Sequence, residues 1–367
     1  MSLPNSINAA PQSIRVMVAD DSAVIRGLIS RTLEADGDID IVASVPEGRA
    51  AVAALGRMPV DVVVLDVEMP VMDGLTAIPL LLKAAPNIKI LMASTLTKKN
   101  AQVTLDALSA GAADFVLKPS AVRDLLGPAS FNRELLTKVR QLGMRPGRAI
   151  PNMTPSSGGP PRALLPVKPF SLRPPLMRAP EIIAIGSSTG GPQALLRVLT
   201  DLAPITRAPI VITQHMPPTF TAILAAQMTR QCGVTAIEGA EGLKLTPGRI
   251  YVAPGNFHMT VDTSHVIRLN QEPQENYCRP SVDPMLRSLV DVYGGRILAV
   301  ILTGMGHDGL AGCKAVVEAG GAVFAQDEGT SVVWGMPGAV AKAGLCTAVL
   351  PLTEIGSRLR PYASGEV

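Results

Sequence analysis

The sequence predicts an α/β protein made of two doubly wound domains, each with a mainly parallel sheet, joined by a proline-rich linker. Two stretches of the chain, 14–140 and 181–363, alternate short apolar runs with helical patterns. Between them, residues 144–180 contain ten prolines and no acidic residue. Strands separated by helices favour parallel pairing with helices on both faces, whereas repeated prolines favour an extended linker.

Five apolar runs predict the strands of the first domain, at 14–19, 39–45, 61–65, 88–93 and 113–117. Helical patterns fill the gaps, for example at 22–35 and 97–110. Five runs likewise predict the strands of the second domain, at 181–185, 209–213, 249–253, 297–302 and 321–325. Residues 257–269 alternate with period two, which predicts a hairpin within this second domain.

Composition excludes several classes of protein. The linker holds six basic residues, so the rest of the chain is net acidic, which disfavours nucleic-acid binding. The apolar runs are too short to cross a bilayer, so we expect no membrane insertion. The first residues, MSLPNSINAAPQS, lack the pattern of a signal peptide. The four cysteines are scattered, which disfavours a structural zinc site and fits reduced thiols in a cytoplasmic location.

Acidic residues follow the strands of the first domain at its predicted carboxyl edge. Asp20 and Asp21 follow the first strand and Asp66 the third, while Ser94 ends the fourth and Lys118 follows the fifth. Such ends open on one crevice of a doubly wound sheet. Crowded carboxylates need a hard cation such as Mg²⁺, and the lysine could neutralise a phosphoryl group, to which Ser94 could donate. Each residue alone could be no more than a helix cap, but all five together point to this pocket.

The motifs in this region resemble those of response-regulator receivers, which have a flavodoxin-like fold. They are VADD, LDVEMPVMDG, MAST and DFVLKP, and the resemblance covers about 14–140. It implies that Asp66 is the phosphoacceptor and that a sensor histidine kinase is the phosphodonor. It also implies Mg²⁺ ligands and switch residues, namely Asp20, Asp21, Asp66 and the backbone carbonyl of Glu68 for the metal, and Ser94, Phe115 and Lys118 for the switch.

A candidate nucleophile lies after the first strand of the second domain. Ser188 is central in Gly186-Ser187-Ser188-Thr189-Gly190, a G-x-S-x-G motif between a strand and a helix. Such a turn exposes a hydroxyl beside helix N–H groups that can bind an oxyanion. A phosphate-cradling loop is the alternative, although the motif is not G-x-G-x-x-G and no Walker lysine follows it.

A catalytic serine needs a base and an orienting acid. Of the four histidines, His215 follows a strand that should open on the same crevice, and His307 is the second choice. Asp308 follows another strand, although it could instead cap the next helix. Asp283 and Asp327 are the alternative acids. The favoured order Ser–His–Asp differs from that of the α/β-hydrolase fold.

The second domain resembles the catalytic domain of chemotaxis protein-glutamate methylesterases, a Rossmann-like α/β esterase, over about 181–363. The motifs are IGSSTGGP, ITQHMP, RPSVDPML, LTGMGHDG and FAQDEGTSVVWGMPG. The resemblance implies a triad of Ser188, His215 and Asp308, with Thr189 and the Met305 backbone at the tetrahedral intermediate. It implies methyl-accepting chemoreceptors as substrates, demethylation with release of methanol, deamidation of glutamines, and no cofactor in the esterase site.

Two residues depart from the family pattern, and three other functions remain open. Ser187 stands where alanine is frequent, and Cys278 where histidine often precedes RPSVD. Cys278 is disfavoured as a nucleophile because no histidine is near it in sequence. The alternative functions are a non-catalytic signalling module, a DNA-binding response regulator and an esterase for small metabolites.

Overall fold

The computed structural model describes residues 13–95, 97–119, 129–144 and 171–366. Within these ranges lie two parallel sheets and one antiparallel hairpin, which confirms the predicted fold class. Residues 145–170, most of the predicted linker, lie outside the described ranges. No helix in the described ranges has both the length and the apolar composition to cross a membrane.

The first domain has a five-stranded parallel sheet in the order β2-β1-β3-β4-β5. Its strands are β1 (Ile14–Ala19), β2 (Ile39–Val45), β3 (Val62–Asp66), β4 (Lys89–Ser94) and β5 (Asp114–Leu117). Its described helices are α1 (Ala23–Glu34), α2 (Gly48–Leu55), α3 (Gly74–Ala84), α4 (Lys98–Ser109) and α5 (Ala129–Gly143). Each predicted strand is present, with bounds shifted by at most one residue.

Polar residues fix where several of these helices begin. Asp73 precedes α3, and its side chain accepts a hydrogen bond from Thr76 N at 2.7 Å. Thr97 does the same for α4 by accepting from Asn100 N at 3.1 Å. Such caps satisfy N–H groups that have no partner within the helix, each contributing about 1 kcal/mol.

The second domain has a seven-stranded parallel sheet in the order β14-β13-β12-β6-β7-β9-β8. Its strands are β6 (Ile182–Ser187), β7 (Ile210–Gln214), β8 (Ala236–Glu238), β9 (Ile250–Val252), β12 (Ile297–Ile301), β13 (Ala322–Gln326) and β14 (Ala348–Leu350). Its helices are α6 (Gly191–Leu202), α7 (Phe220–Cys232), α8 (Val282–Tyr293), α9 (Leu310–Glu318), α10 (Met336–Lys342) and α11 (Leu352–Ser364). The hairpin is present as β10 (His258–Val261) and β11 (Ile267–Asn270).

The order of the strands places three chain segments side by side. The central strand β6 pairs with β12 on one side and with β7 on the other. All three run in parallel, so the residues that follow them emerge at the same carboxyl edge of the sheet. This edge is where Ser188, His215 and Asp308 lie.

An apolar cluster joins the two domains. It joins buried receiver-side residues such as Leu105 and Phe115 to residues of the second domain such as Phe220 and Leu224. The rings of Phe115 and Phe220 stack with centroids 4.5 Å apart and planes 9° apart. Such a pair contributes about 0.5–1.5 kcal/mol beyond the area that it buries. Helix α4 and the start of β5 therefore form the face of the first domain that packs against the second domain.

Candidate active site

Ser188 lies in the turn between β6 and α6. Its backbone N–H donates to Thr303 O at 3.0 Å, and its carbonyl accepts from Gly191 N at 2.7 Å. Ser187, the preceding residue, is fully buried and donates to Gln214 Oε1 at 2.7 Å. Gln214 in turn donates to Ser188 O at 3.0 Å. Two strands and a side-chain amide thus fix the backbone of Ser188.

Glycines allow the turn to pack closely. A Cβ at Gly304 would lie 2.9 Å from the Cβ of Ser188 and 2.4 Å from Met336 Sδ. Gly190 has a φ of +76°, in the left-handed region that favours glycine, and precedes α6 directly. Gly304 therefore lets the backbone pass close to Ser188, and Gly190 allows the tight turn into α6.

His215 and Asp308 form a close pair beside this turn. His215 Nε2 lies 2.7 Å from Asp308 Oδ2, and both side chains are almost fully buried. Since the carboxylate accepts from Nε2–H, Nδ1 is the nitrogen left to act as a base. Among the described residues, Ser188 Oγ has no hydrogen bond to His215.

The charges of this pair stabilise each other. Burial favours neutral His215, but the hydrogen bond with Asp308 and the contact with Cys278 outweigh it and raise the pKa of His215 to about 10. Burial raises the pKa of Asp308, but hydrogen bonds from His215, Val282 and Ser281 hold the pKa at about 2. The arrangement favours the imidazolium that a general base forms during acyl transfer.

Asp308 also holds the start of a helix from another part of the chain. Its carboxylate accepts hydrogen bonds from Val282 N at 2.7 Å, Asp283 N at 3.2 Å and Ser281 Oγ at 2.7 Å. These N–H groups belong to the first turn of α8. Asp308 also accepts from Gly309 N at 2.9 Å, but Gly309 is the residue that precedes α9. The alternative reading of Asp308 as the cap of the next helix is therefore wrong, because its side chain caps α8 instead.

The other acids and the second-choice base lie elsewhere. The Asp283 carboxylate accepts from Gly312 N at 2.6 Å, and Asn276 bridges it to the Asp308 carboxylate; among the described residues it forms no hydrogen bond with His215. Asp327 accepts from Thr330 N at 3.0 Å in an exposed loop. His307 is exposed. The geometry brings together Ser188, His215 and Asp308.

Cys278 lies next to the His215–Asp308 pair, which the sequence did not indicate. Its Sγ is 3.4 Å from Nδ1 of His215, the nitrogen that is left to act as a base. The argument against Cys278 from the absence of a nearby histidine in sequence is therefore wrong, since the histidine comes from β7. The sequence offered one signal that this position matters, namely a cysteine where histidine often precedes RPSVD in the family.

The first domain contacts the Ser188 turn directly. Thr189 Oγ1 donates to Asp114 Oδ2 at 2.5 Å, and Gly190 N donates to Ala113 O at 3.1 Å. Lys138 lies 3.2 Å from the same carboxylate oxygen of Asp114. Met305 packs against an apolar cluster formed largely by the first domain. Both residues predicted at the tetrahedral intermediate therefore contact the first domain.

The acidic pocket of the first domain has the predicted composition. One carboxylate oxygen each from Asp20, Asp21 and Asp66 lie within 4.8 Å of one another. Lys118 Nζ lies 2.6 Å from Asp20 Oδ2 and 2.6 Å from Asp66 Oδ1. Burial raises the pKa of Asp66 to about 6, although Lys118 opposes the shift. An all-oxygen donor set of this density fits Mg²⁺. Glu68 is exposed, and its side chain pairs with Lys99.

The predicted switch residues connect this pocket to the second domain. Ser94 is buried and accepts a hydrogen bond from Thr104 Oγ1 at 2.8 Å. Phe115 is nearly buried under Phe220, and Lys138 donates to the Phe115 carbonyl at 2.6 Å. Strand β5 thus carries Asp114 and Phe115, which contact the second domain, and ends directly before Lys118.

Two family models match the chain. The CheB methylesterase model matches residues 183–359, and the response regulator receiver domain model matches residues 16–128. The protein-glutamate methylesterase/protein-glutamine glutaminase of Azospirillum brasilense is 55% identical and covers 97% of this chain and 94% of its own length. A relative of the same description from Paramagnetospirillum magneticum is 54% identical and covers 98% and 99%.

A solved structure is also similar to part of the chain. The CheB methylesterase catalytic domain of Thermotoga maritima is 40% identical, covers 49% of this chain and 97% of its own, and has a TM-score of 0.48.

Proposed function

The chain belongs to the family of CheB methylesterases that carry a response regulator receiver domain, and from this premise we propose that it is a phosphorylation-activated serine hydrolase. The substrates are glutamate methyl esters on methyl-accepting chemoreceptors, which are demethylated during adaptation in chemotaxis. Receptor glutamines are deamidated at the same site, because an ester and an amide pass through similar tetrahedral intermediates.

The proposed reaction is acyl transfer through Ser188. Its proton moves to Nδ1 of His215 while Oγ attacks the side-chain carbonyl carbon of the ester. The C–O bond then breaks, and methanol leaves with the proton from His215. Water attacks the acyl-enzyme, gives a proton to His215, and releases glutamate as Ser188 regains its hydrogen. No organic cofactor takes part.

The other residues stabilise charge as it moves. Asp308 holds Nε2–H and therefore fixes the tautomer in which Nδ1 accepts the proton. We infer that Thr189 and the backbone at Met305 would contact the oxyanion. Thr189 lies just before α6, whose N-terminal N–H groups favour negative charge.

The observation that carries the proposal is the 2.7 Å pair of His215 and Asp308 at the strand ends that flank the Ser188 turn. A phosphate-cradling loop needs neither a histidine nor a buried carboxylate beside it. A carboxylate would repel a phosphate, so this pair favours the hydrolase.

The nucleophile is tested by comparing two neighbouring serines. Ser188→Ala is expected to fold and to lose nearly all methanol release from methylated receptor membranes. Ser187→Ala is expected to retain activity but to lose about 1–3 kcal/mol of unfolding free energy, since Gln214 Oε1 would be left buried without its donor. An active Ser188→Ala protein together with an inactive Ser187→Ala protein would reject the assignment.

The receiver controls this activity by covering the site. In the unphosphorylated protein, Asp114 binds Thr189 and the Phe115 ring stacks on Phe220. A phosphoryl group on Asp66, donated by a sensor histidine kinase, adds negative charge that Lys118 and Ser94 bind. Because Lys118 follows β5 directly, its movement shifts the strand that carries Asp114 and Phe115, and the receiver separates from the Ser188 turn.

The phosphoryl transfer requires Mg²⁺ in the acidic pocket. Asp21, Asp66 and the backbone carbonyl of Glu68 would hold the ion, with Asp20 assisting, and the ion would neutralise charge on the incoming phosphoryl group. The four free cysteines support a cytoplasmic location for both reactions.

A further inference from the structure

A tight turn beside the catalytic pair presents an exposed tyrosine. Residues 275–278 form a reversal in which Glu275 N donates to Cys278 O at 3.2 Å and Cys278 N donates to Glu275 O at 3.0 Å. The two central residues, Asn276 and Tyr277, have φ values of +54° and +63°. Two consecutive positive φ values are the geometry of a type I′ turn, for which asparagine followed by glycine is preferred. A tyrosine at the second central position is therefore strained.

Three of the four turn residues are anchored. Glu275 forms two hydrogen bonds of 2.7 Å with Arg287. Asn276 Nδ2 donates to Asp283 Oδ2 and to Asp308 Oδ1, both at 2.9 Å. Cys278 Sγ lies 3.4 Å from His215 Nδ1. The turn is thus held rigidly against the residues that carry out the proposed chemistry.

Tyr277 is the turn residue whose side chain is exposed to solvent. Its side chain is 93% exposed, the highest value among the large apolar residues that the structure describes. Two other tyrosines are buried and hydrogen-bonded, namely Tyr251 and Tyr293. The Tyr277 ring contributes nothing to the core, yet its backbone is strained. Strain that does not serve packing is typical of functional positions.

We propose that Tyr277 is a substrate-contact residue that packs against an apolar side chain of the receptor segment next to the esterified glutamate. This inference rests on the proposed function and adds a specificity determinant to it. A rigid aromatic ring offers a large contact area at a low cost in conformational entropy. The ring is continuous with the active site, because the next residue, Cys278, contacts His215. A protein substrate extends past the reacting ester and can reach this ring, whereas a small ester cannot.

The ring is free even while the receiver is docked. The receiver contacts the Ser188 turn through Thr189 and Gly190, and Tyr277 is exposed with the receiver in this position. Receptor binding through Tyr277 therefore does not require release of the receiver.

The test compares three variants of the full chain, treated with Mg²⁺ and a phosphodonor. Methanol release is measured from methylated receptor membranes and from a blocked glutamate γ-methyl ester. Tyr277→Ala is expected to raise the KM for receptor about tenfold and to leave kcat within about twofold, with no change on the small ester. Tyr277→Phe is expected to behave as wild type, because it keeps the ring.

Tyr277→Gly separates contact from strain. It should show the same rise in KM as Tyr277→Ala but a higher Tm, because glycine relaxes the turn. An unchanged receptor KM in both ring-deleted variants would overturn the inference while leaving the proposed function intact. Equal losses on the receptor and the small ester would also overturn it, since the residue would then only position the turn. A wild-type protein that releases methanol from neither ester would instead reject the proposed function.

Discussion

The side chain of Cys278 contacts the nitrogen of His215 to which Ser188 would transfer its proton. Its sulfur lies 3.4 Å from Nδ1 of His215, and this nitrogen is the base in the proposed reaction. When Nδ1 is protonated, the sulfur accepts its hydrogen, and the contact therefore helps to keep the ring protonated. Catalysis requires the neutral ring, so the contact with sulfur opposes the first step.

We expect Cys278→Ala to change the pH dependence of the enzyme. The contact with Cys278 contributes to the raised pKa of His215, so its removal lowers that pKa and yields neutral imidazole at lower pH. In the phosphorylated protein, the rising limb of kcat/KM against pH should move to lower pH. Cys232→Ala serves as the control, since Cys232 is buried in α7 away from the site. Identical profiles for wild type and Cys278→Ala would show that the sulfur has no effect on the base.

At the scale of single residues, the sequence predicted the positions of Ser188, His215 and Asp308 because each follows an apolar strand. Their catalytic roles stay predictions. It missed the contacts of Asn276 and Cys278, which lie in an irregular turn. Such a turn has no periodicity, so nothing in its sequence indicates which strand end it will meet.

Helix α8 depends on a residue that is remote in sequence. Its first turn begins at Val282, and the residue before it, Ser281, donates to Asp308 rather than capping the helix itself. The carboxylate of Asp308 binds the free N–H groups of that turn and also His215. In the proposed mechanism, catalysis and the stability of one helix are therefore coupled through a single side chain.

Asp308→Asn is expected to lower both activity and stability. Turnover should fall on the order of 10⁴-fold, as when an orienting acid in a serine protease loses its charge. The low pKa of Asp308 means that its charge stabilises the fold above about pH 4, and that this contribution is lost as the pH falls towards 2. The Tm of the variant should thus be lower than that of wild type at neutral pH, and the difference should shrink in acid.

The matched control for this substitution is Asp327→Asn, since Asp327 caps an exposed turn at Thr330. It should keep normal turnover. Near-normal methanol release by Asp308→Asn would reject Asp308 as the orienting acid.

At the scale of elements, the sequence predicted the long strands and the hairpin 257–269, because their apolar runs are continuous or alternate clearly. It did not predict β8 or β14, which are three residues each. Three residues are too few to distinguish alternation from an apolar loop. Helix α5 ends at Gly143 rather than at the expected boundary of 140.

The packing of the two domains against each other could not be predicted from sequence. The predicted boundaries of the domains and the linker do not indicate how one domain is oriented relative to the other. The contact of Asp114 with Thr189 depends on how the surfaces of two folded domains fit together. Each of these residues also fits the strand or loop pattern of its own domain, so neither one indicates the contact. Only the position of Asp114 next to the switch residue Phe115 offered a signal.

The interface can be weakened at Gln193, which extends from α6 to the first domain. Its side-chain amide donates to Ala112 O at 2.8 Å and to Leu108 O. Gln193→Ala removes both bonds, each worth about 0.7 kcal/mol net, and their loss together increases the separated population about tenfold. Basal methanol release by the unphosphorylated full chain should rise about five- to tenfold, and stimulation by a phosphodonor should fall by a similar factor.

Arg197→Ala is the control on the same helix, because exposed Arg197 pairs with Asp201 of the same helix. Its basal rate should equal that of wild type. Asp66→Ala should give no response to the phosphodonor in either background. If Gln193→Ala keeps the wild-type basal rate, these contacts do not restrain the enzyme.

The apolar seam between the domains also makes the proposed restraint depend on temperature. Separation would transfer buried surface of residues such as Leu105, Phe220 and Leu224 into water. Exposed apolar surface raises the heat capacity, so the enthalpy of separation increases as the protein is warmed. The free energy that holds the domains together then passes through a maximum and declines on cooling as well as on heating. The basal activity of the unphosphorylated enzyme would therefore be lowest at an intermediate temperature and would rise on both cooling and heating.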